Sequence, residues 1–409
     1  MTRARWIIVC TAAALLLIAA SVLFSGSGPV REPAFSGTAA THPDTAWDQL
    51  FQAYGNSSDA WSGGDGAQSL LLPDGTTMWF FADTYLGPTG TWATRSPLTT
   101  GVAHNSAVLY RDGQLGPTYA VPSGLGGYNG TGDYTWVAPP PPYPASRYEL
   151  INGDQVLDRG TVYKFYQLAD RDLHPGGFTY KLVGTVIETF SLNAATDVLT
   201  PAGGTPLGVQ DTARSDPVIW GVATTVSNGY VYIYGVKPYN GAGAPDPLYL
   251  ARVPVGGLAA GDAWQYYDAA PGCPVSSSAW SSDPRSATAL RTGVSAGFSV
   301  TDVNGTYVLL TSGSTSNAIA YYAQCPTGFS PGSTRYRVYQ PRLPTGWISY
   351  EYRIVPQFSS GRTVLVCYST DAIRPAENFA NVTIYRPRFL DVTLPGIGGP
   401  AGHVTEPGP

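Results

Sequence analysis

The sequence has few charged residues: they make up 12% of its 409 residues, and lysine occurs only at three positions. Ordinary soluble domains carry about 25% charged residues. The net charge of −5 and the scarcity of lysine exclude the basic surface that nucleic-acid-binding domains present. In place of charge there are 48 glycines, 35 prolines and 27 tyrosines. This composition excludes a disordered chain and favours an all-β protein whose ligand is uncharged and rich in hydroxyl groups, such as a sugar.

The common catalytic and metal-binding motifs are also missing. The chain has four histidines and contains no HExxH or CxxC motif, no phosphate-binding loop and no serine elbow ahead of a helix. Zinc chemistry, serine nucleophiles and nucleotide chemistry are therefore disfavoured. We expect no cofactor and no catalytic metal.

The N-terminus predicts export. Arg3 and Arg5 precede an uncharged run of 19 residues from Trp6 to Phe24. That run reaches the lower range of a membrane-spanning helix, so residues 1–25 are either a signal peptide or a signal anchor. The protein is then secreted or anchored to the membrane, with its body outside the cytoplasm. The Gly- and Pro-rich residues 26–45 predict a flexible linker, and residues 396–409 predict a loose C-terminal tail.

Three cysteines lie outside the leader, and their odd number allows one disulfide and one thiol. Cys273 and Cys325 each stand beside a proline in a loop-like setting, whereas Cys367 lies in an apolar run. We predict a Cys273–Cys325 disulfide and a buried Cys367 thiol. Three free thiols are the alternative.

The body repeats one pattern five times, a turn with a glycine followed by an apolar β run. The repeats start at Asp74-Gly75, Arg159-Gly160, Asn228-Gly229, Asn304-Gly305 and Ser360-Gly361. Each follows another apolar run, which indicates a hairpin centred on the glycine. Five such units predict an all-β, five-bladed β-propeller over residues 46–395. A pair of β-sandwiches is the alternative, but it does not explain five repeats.

The first hairpin carries two aspartates at matched positions. Asp65 lies nine residues before Asp74, and Asp83 lies nine residues after it. A turn at residues 73–76 would set the two acids opposite each other, with Cβ atoms about 4.5–5.5 Å apart. Two carboxylates at that range raise one another's pKa, and glycoside hydrolysis uses such a pair of unequal acids. The alternative is that both aspartates only bond turn amides.

Three glycines surround the first of these aspartates, at positions 63, 64 and 66. Because glycine has no side chain, we expect a ligand to approach the backbone there. Glu149 and Glu351 are weaker acid candidates.

The two-aspartate hairpin reads WSGGDG at 61–66 and FADTYLG at 81–87. In these motifs the chain resembles the secreted five-bladed propeller glycoside hydrolases of actinobacteria. That family was long catalogued as a domain of unknown function and includes endo-D-arabinanases. The resemblance covers about residues 50–392 and continues through His104-Asn105-Ser106, Asn152-Gly153-Asp154, Trp220-Gly221, residues 230–235 and Tyr385-Arg-Pro-Arg-Phe389. It implies that Asp65 and Asp83 are the catalytic pair.

Five further residues are candidates for substrate binding. His104 and Asn105 follow the first repeat and are equally suited to bonding a sugar or a turn. Asp154 and Asp216 open the second and third repeats, where each would line the ligand-binding mouth, although Asp216 could instead form a structural salt bridge. Trp220 would stack on a sugar ring or pack in the core.

These observations predict an extracytoplasmic glycoside hydrolase that acts as a monomer on a furanosidic polysaccharide. The resemblance implies the α-D-arabinan of arabinogalactan or lipoarabinomannan. One aspartate would protonate the leaving oxygen while the other attacks the anomeric carbon or activates water. A structural calcium ion in the propeller channel is compatible with the sequence. The alternative function is a non-catalytic carbohydrate-binding propeller at the cell surface, and a cell-envelope scaffold is a weaker one.

Overall fold

The computed structural model describes residues 33–57, 60–90, 92–121, 124–125, 133–173, 180–193, 198–206, 217–238, 246–274, 276–313 and 316–408. These residues form 28 strands, two α-helices and three 3₁₀ turns. The chain is therefore nearly all β, as predicted. None of the helices in the described ranges is long and apolar enough to cross a membrane.

The strands are short and follow one another closely along the chain. The first fourteen are β1 (Ala40–Pro43), β2 (Trp61–Gly64), β3 (Gln68–Leu71), β4 (Thr77–Phe81), β5 (Thr84–Leu86), β6 (Gly101–Ala103), β7 (Ser106–Arg111), β8 (Gln114–Val121), β9 (Gly124–Leu125), β10 (Asp133–Tyr134), β11 (Tyr148–Asp158), β12 (Thr161–Asp170), β13 (Lys181–Asn193) and β14 (Val198–Pro201). The others are β15 (Thr205–Pro206), β16 (Ile219–Ser227), β17 (Tyr230–Val236), β18 (Asp246–Pro254), β19 (Gln265–Tyr267), β20 (Trp280–Ser281), β21 (Arg291–Val294), β22 (Phe298–Val303), β23 (Thr306–Ser312), β24 (Ala318–Ala323), β25 (Arg335–Tyr339), β26 (Trp347–Ser360), β27 (Thr363–Ala372) and β28 (Arg388–Thr393). The helices are α1 (Thr45–Ser57) and α2 (Pro375–Ala380), and the 3₁₀ turns are Gly261–Ala263, Ser277–Ala279 and Pro284–Ser286.

The strands of the described residues form six sheets. In chain order, sheet 1 is β3-β4-β7-β8-β9, sheet 2 is β11-β12-β13-β14 with β15 also on β13, and sheet 3 is β16-β17-β18-β19-β20 with β21 also on β18. Sheet 4 is β22-β23-β24-β25, and sheet 5 is β26-β27-β28-β1. A smaller sheet, β2-β5-β6-β10, adjoins sheet 1 and is called the side sheet below.

All five predicted glycine hairpins are present, and each joins the first two strands of sheets 1 to 5. In three of them the residue before the glycine also has positive φ: 48° at Arg159, 48° at Asn228 and 52° at Asn304. Two successive left-handed residues make the turn type whose twist matches that of paired strands. The turn residues therefore set the hairpin register locally.

The first strands of these five sheets touch in a cyclic order. Strand β3 contacts β11, β11 contacts β16, β16 contacts β22, β22 contacts β26, and β26 contacts β3. Buried apolar clusters lie between successive sheets. They include Phe80 and Tyr166 (sheets 1 and 2), Phe165 and Trp220 (sheets 2 and 3), Tyr234 and Phe298 (sheets 3 and 4), Leu310 and Tyr352 (sheets 4 and 5), and Trp79 and Leu365 (sheets 5 and 1).

This arrangement explains why the second strands are continuously apolar in sequence. In β17, Val231 and Ile233 face the cluster shared with sheet 2, whereas Tyr232 and Tyr234 face the cluster shared with sheet 4. Alternate side chains of a strand point to opposite faces, and both faces are buried here. Burying these rings and branched side chains on both sides stabilises each sheet by roughly 1.5–3 kcal/mol per side chain.

Both chain ends correct the sequence-based boundaries. Within the predicted linker, β1 pairs with β28, and the helix α1 that follows was not predicted. Trp47 and Phe51 of this helix lie in the cluster between sheets 5 and 1. The predicted loose tail is also hydrogen-bonded to the rest of the fold. The Thr405 amide donates to the Phe358 carbonyl, and the Thr405 carbonyl accepts from the Trp47 indole. The backbone supplies most of this pairing, and the side-chain pattern of these segments does not reveal it.

Arg386 fixes helix α1 against the strand that leads into the first aspartate. Its fully buried guanidinium donates to the Ser62 carbonyl on β2 at 2.9 Å. The same group donates to the Gln52 carbonyl at 3.1 Å and to the Asn56 side chain at 3.0 Å. The helix and β2 therefore form one hydrogen-bonded unit.

The predicted cysteine pairing is confirmed. Cys273 and Cys325 form a disulfide with Cα atoms 6.0 Å apart, and Cys367 is a buried free thiol. The bridge connects the loop after β19 to the loop after β24, and so ties sheet 3 to sheet 4.

Replacing both bridged cysteines should lower the free energy of unfolding. The Cys273→Ala/Cys325→Ala variant frees a loop of 52 residues, whose closure is worth about 4 kcal/mol. Denaturant unfolding, followed by tryptophan fluorescence, measures the difference. The reduced wild-type protein should unfold like the variant, and a reductant should leave the variant unchanged. An equal midpoint for variant and oxidised wild type would contradict the stabilising role.

Candidate active site

The candidate site lies where the chain passes between the side sheet and sheet 1. Asp65 connects β2 to β3, Asp83 connects β4 to β5, and His104 lies between β6 and β7. Since β2, β5 and β6 pair in one sheet and β3, β4 and β7 pair in the other, the three crossings lie side by side. Segments separated along the sequence therefore place these three side chains at one junction.

The predicted opposition of the two aspartates is present in the backbone. Hairpin β3–β4 pairs Gln68 with Phe80 around the turn, and the same register reaches Asp65 and Asp83. The Asp65 amide donates to the Asp83 carbonyl at 3.1 Å, and the Asp65 carbonyl accepts from the Ala82 amide at 2.9 Å. Two successive residues thus oppose one, as in the β-bulges that often redirect side chains at functional sites.

Asp65 lies among acids and tyrosines. The Tyr350 hydroxyl donates to its Oδ2 at 2.7 Å, Tyr385 is a second neighbour, and Oδ1 is buried with no hydrogen-bond partner among the described residues. Burial raises the pKa of Asp65 well above its usual range, and the charges of Glu351 and Asp83 add to the increase. The two tyrosines offset only part of this effect. Asp65 therefore holds its proton more tightly than an ordinary aspartate.

Asp83 has a different environment, with 27% of its side chain exposed. Its Oδ1 lies 3.3 Å from Nδ1 of His104, and Oε2 of Glu149 lies 3.4 Å from the same nitrogen. His104 therefore bridges two carboxylates. Tyr180 is influenced by the same two carboxylates. Burial raises the pKa of Tyr180, and the charges of Glu149 and Asp83 raise it further.

Glu351, a weaker acid candidate from the sequence, is a central member of the site. It has a φ of +53° and lies at a bulge in β26, with its amide donating to Ser312 Oγ at 3.0 Å. Its Oε2 is buried and has no hydrogen-bond partner in the described part of the chain. A Cβ at Gly66 would lie 3.1 Å from that oxygen, and one at Gly297 would overlap the Glu351 side chain. Two glycines from connections between strands thus leave the space that this carboxylate occupies.

Two buried basic side chains, Lys164 and Arg353, lie near this carboxylate. Lys164 Nζ donates to the Gly153 carbonyl at 2.6 Å and to Gln68 Oε1 at 2.8 Å, and burial lowers its pKa well below the usual range. Burial raises the pKa of Glu351, while the charges of Arg353 and Lys164 lower it. The site therefore combines buried acids with buried basic side chains.

Two of the predicted binding residues have structural positions instead. The Asn105 side chain is 1% exposed and bonds Thr135 Oγ1 and the Val137 backbone. Trp220 is 2% exposed and packs in the cluster between sheets 2 and 3, so its ring offers no face to a sugar. The expectations of sugar bonding and stacking are corrected, because burial uses the groups that a ligand would need.

Of the remaining predicted residues, one forms a contact between two sheets and the other lies outside the described ranges. Asp154 Oδ2 accepts from the Thr224 amide at 2.5 Å and from its hydroxyl at 2.9 Å, which ties sheet 2 to sheet 3. Asp216 lies outside the described residues. Its role stays a prediction.

The glycines before Asp65 serve packing, which corrects their expected role in ligand approach. A Cβ at Gly63 would collide with the Tyr385 carbonyl and the Arg95 guanidinium, and one at Gly64 would crowd Phe81. Protein atoms therefore fill the space that the missing side chains leave. Close packing here holds the Tyr385 segment next to β2.

Comparisons with known proteins agree with this architecture. The family model of a domain of unknown function, DUF5005, matches residues 48–394. No curated protein matches the sequence significantly. A crystal structure from Bacteroides ovatus, provisionally assigned as a hydrolase, has 17% identity and a TM-score of 0.67, and the alignment covers 90% of this chain and 97% of that one. That likeness shows a shared fold.

Two other solved structures align over most of their length with lower scores. A GH43_1 enzyme from Xanthomonas citri has 12% identity and a TM-score of 0.45, with 91% of this chain and 95% of that one covered. An α-L-arabinanase from Cellvibrio cellulosa has 12% identity and a TM-score of 0.44, with 83% and 95% covered. These scores are too low to establish a common fold.

Two substitutions should move the pKa of Asp65 in opposite directions. Tyr350→Phe removes a donor to the charged carboxylate and should raise this pKa further. Glu351→Gln removes a repelling charge and should lower it. A ¹³C NMR titration with labelled aspartate carboxyls measures both changes.

The matched control is Tyr352→Phe, because the Tyr352 hydroxyl bonds Ser349 and the Ser316 carbonyl rather than Asp65. This variant should leave the Asp65 titration unchanged. Shifts of the same sign in Tyr350→Phe and Glu351→Gln would contradict the electrostatic description of the site.

Proposed function

This chain belongs to the DUF5005 family, a domain of unknown function. We propose that it is an exported glycoside hydrolase that cleaves a furanosidic polysaccharide with Asp65 and Asp83. One observation carries the proposal: two aspartates oppose each other on one hairpin in unequal surroundings. Asp65 is bonded by Tyr350 among other acids, and Asp83 is more exposed beside His104. Environments that separate the pKa values of two carboxyls assign acid and base roles in glycosidases.

Asp65 is the proton donor in this proposal. Its raised pKa keeps the carboxyl protonated, so it can give the proton to the glycosidic oxygen while the bond from that oxygen to the anomeric carbon breaks. Asp83 is the carboxylate that attacks the anomeric carbon or removes a proton from the attacking water. The backbone pairing of Asp65 with Asp83 favours the shorter separation, about 5–5.5 Å, of the retaining mechanism. In that case Asp65 accepts the proton of the water that releases the sugar.

Tyr350 and Glu351 keep Asp65 suited to this role. The glutamate charge raises the pKa of Asp65, and the tyrosine hydroxyl opposes that effect while orienting the carboxyl. His104, between Asp83 and Glu149, orients the second carboxylate. The roles proposed for these side chains need no cofactor.

We further propose that sheets 1 to 5 are the blades of a five-bladed β-propeller. The cyclic contacts of their first strands and the apolar clusters between successive sheets support this arrangement. The aspartate pair lies at the ends of the first two strands of sheet 1, next to Tyr350 and Glu351 of sheet 5. The site would then face the axis at one end of the propeller.

The proposed substrate is the α-D-arabinan of arabinogalactan or lipoarabinomannan. It rests on the resemblance at residues 61–66, 81–87 and 385–389. The hydroxyls of Tyr350 and Tyr385 beside two carboxyls suit an uncharged, hydroxyl-rich ligand. The apolar leader from Trp6 to Phe24 supports an extracytoplasmic location, where such polysaccharides occur.

Replacing either aspartate should abolish sugar release. Full-length protein incubated with arabinogalactan should release oligosaccharides, and Asp65→Asn or Asp83→Asn should each reduce the rate by at least about 100-fold. Chromatography of the released sugars measures the rate, and thermal melting checks that each variant folds.

Asp74→Asn is the control, since Asp74 lies at the turn of the same hairpin and bonds Thr76 and Arg111. Its activity should equal that of the wild type. Release that survives both catalytic substitutions would exclude the pair from the chemistry. Binding of the polysaccharide without release would instead identify a carbohydrate-binding protein.

A further inference from the structure

Three carboxylates meet where both chain ends pack against sheet 5, away from the aspartate pair. Asp44 precedes helix α1, Asp391 lies in β28, and Glu406 belongs to the C-terminal segment. One oxygen of each lies within 4.8 Å of the oxygens of the other two. Residues more than 340 positions apart in sequence thus form one oxygen cluster.

Two oxygens of this cluster are buried without a protein partner. Asp44 is 3% exposed; its Oδ1 accepts from the amides of Ala46 and Trp47, each at 3.0 Å, and so caps helix α1. Its Oδ2 is buried and has no hydrogen-bond partner among the described residues, and the same is true of Asp391 Oδ1. Buried carboxylate oxygens without partners are costly, so their presence points to a ligand.

The charges of the cluster are poorly compensated by the protein. His42 faces Asp391 across the β1–β28 pair, and its charge favours the ionised carboxylate. In the described ranges, no lysine or arginine forms an ion pair with any of the three acids. Burial and the neighbouring carboxylates raise the pKa of Asp391 to about 6. A bound cation would remove this repulsion.

We propose that Asp44, Asp391 and Glu406 form a calcium site that joins the two chain ends to sheet 5. Calcium takes six to eight oxygen ligands at about 2.3–2.6 Å, so oxygens 4.8 Å apart can share one ion. The ligands here are oxygens, which disfavours zinc, and they come from three separate segments, which suits the flexible geometry of calcium better than the strict octahedron of magnesium. Water completes the coordination on the exposed side of Glu406.

The bound ion would hold separate segments of the chain together. Asp44 caps α1 through one oxygen and would hold the ion through the other, while Glu406 follows Thr405, which bonds Trp47 and Phe358. Calcium would therefore fasten β1, α1 and the C-terminal segment to β28. Because these contacts exist only in the folded chain, binding would stabilise the fold by mass action.

Calcium should raise the melting temperature of the full-length protein. We expect an increase of about 3 °C between chelator-treated protein and protein in about 1 mM CaCl₂ at about pH 7.5, and a smaller one with MgCl₂. Isothermal titration should give one calcium ion per chain. The Trp47 amide donates to Asp44, and its indole donates to the Thr405 carbonyl next to Glu406. Excitation of Trp47 should therefore sensitise the emission of bound terbium, and calcium should displace the terbium.

Three single variants locate the ion. Asp391→Asn and Glu406→Gln should each remove most of the calcium-dependent shift. Asp44→Asn should do the same while keeping the helix cap, because asparagine caps as well as aspartate. The exposed Asp262, in the Gly261–Ala263 turn, gives the control Asp262→Asn, which should respond to calcium as the wild type does.

Three results would overturn the proposal. One is a wild-type melting temperature that calcium leaves unchanged. Another is a calcium shift that persists undiminished in the three variants, which would place the ion elsewhere. The third is a protein that gains stability on acidification to about pH 5.5 and ignores calcium, because the carboxyls would then share a proton.

Discussion

The register of hairpin β3–β4 is the constraint on which the site depends. Its turn pairs Gln68 with Phe80, and continuing that register past the end of the strands brings the Asp65 amide onto the Asp83 carbonyl. A slip of one residue would turn the side chains of one strand to the opposite face. The register is held from both sides, because Met78 and Phe80 enter the cluster shared with sheet 2 while Trp79 and Phe81 enter the one shared with sheet 5. Core packing thus fixes the position of the chemistry.

Around this hairpin the site is a balance of buried charge. The charges of Glu351 and Asp83 raise the pKa of Asp65, and the Tyr350 hydroxyl stabilises the Asp65 carboxylate. The charges of Lys164 and Arg353 stabilise the Glu351 carboxylate. Glu351 adopts a left-handed backbone conformation to reach this position, which a non-glycine residue adopts at a cost. Strain and uncompensated charge in one small region are typical of functional sites rather than of stabilising networks. The stability of the fold comes from the apolar clusters between the sheets.

The chain ends show how far a side-chain pattern extends. The disulfide, the buried Cys367 and the five hairpins were predictable because cysteine count, flanking residues and turn chemistry are local. Helix α1 and strand β1 were missed, since one helix of 13 residues in a β-rich chain gives a weak periodic signal and an edge strand pairs through its backbone. The binding roles expected for Asn105 and Trp220 failed for a related reason, because sequence does not distinguish a polar or aromatic group at a surface from one that the core encloses.

The sequence by itself determined the all-β class, the hairpin units, the disulfide and the opposition of Asp65 and Asp83, because each depends on residues close together in the chain or on composition. Only the tertiary structure decided that Tyr350, Glu351 and Tyr385 surround Asp65, which lies at least 285 residues earlier in the sequence. It also decided that Asp44, Asp391 and Glu406 meet. The physical reason is that long-range neighbours are set by how the sheets pack. That packing follows from the summed burial of many apolar side chains and leaves no mark at the individual acids it brings together.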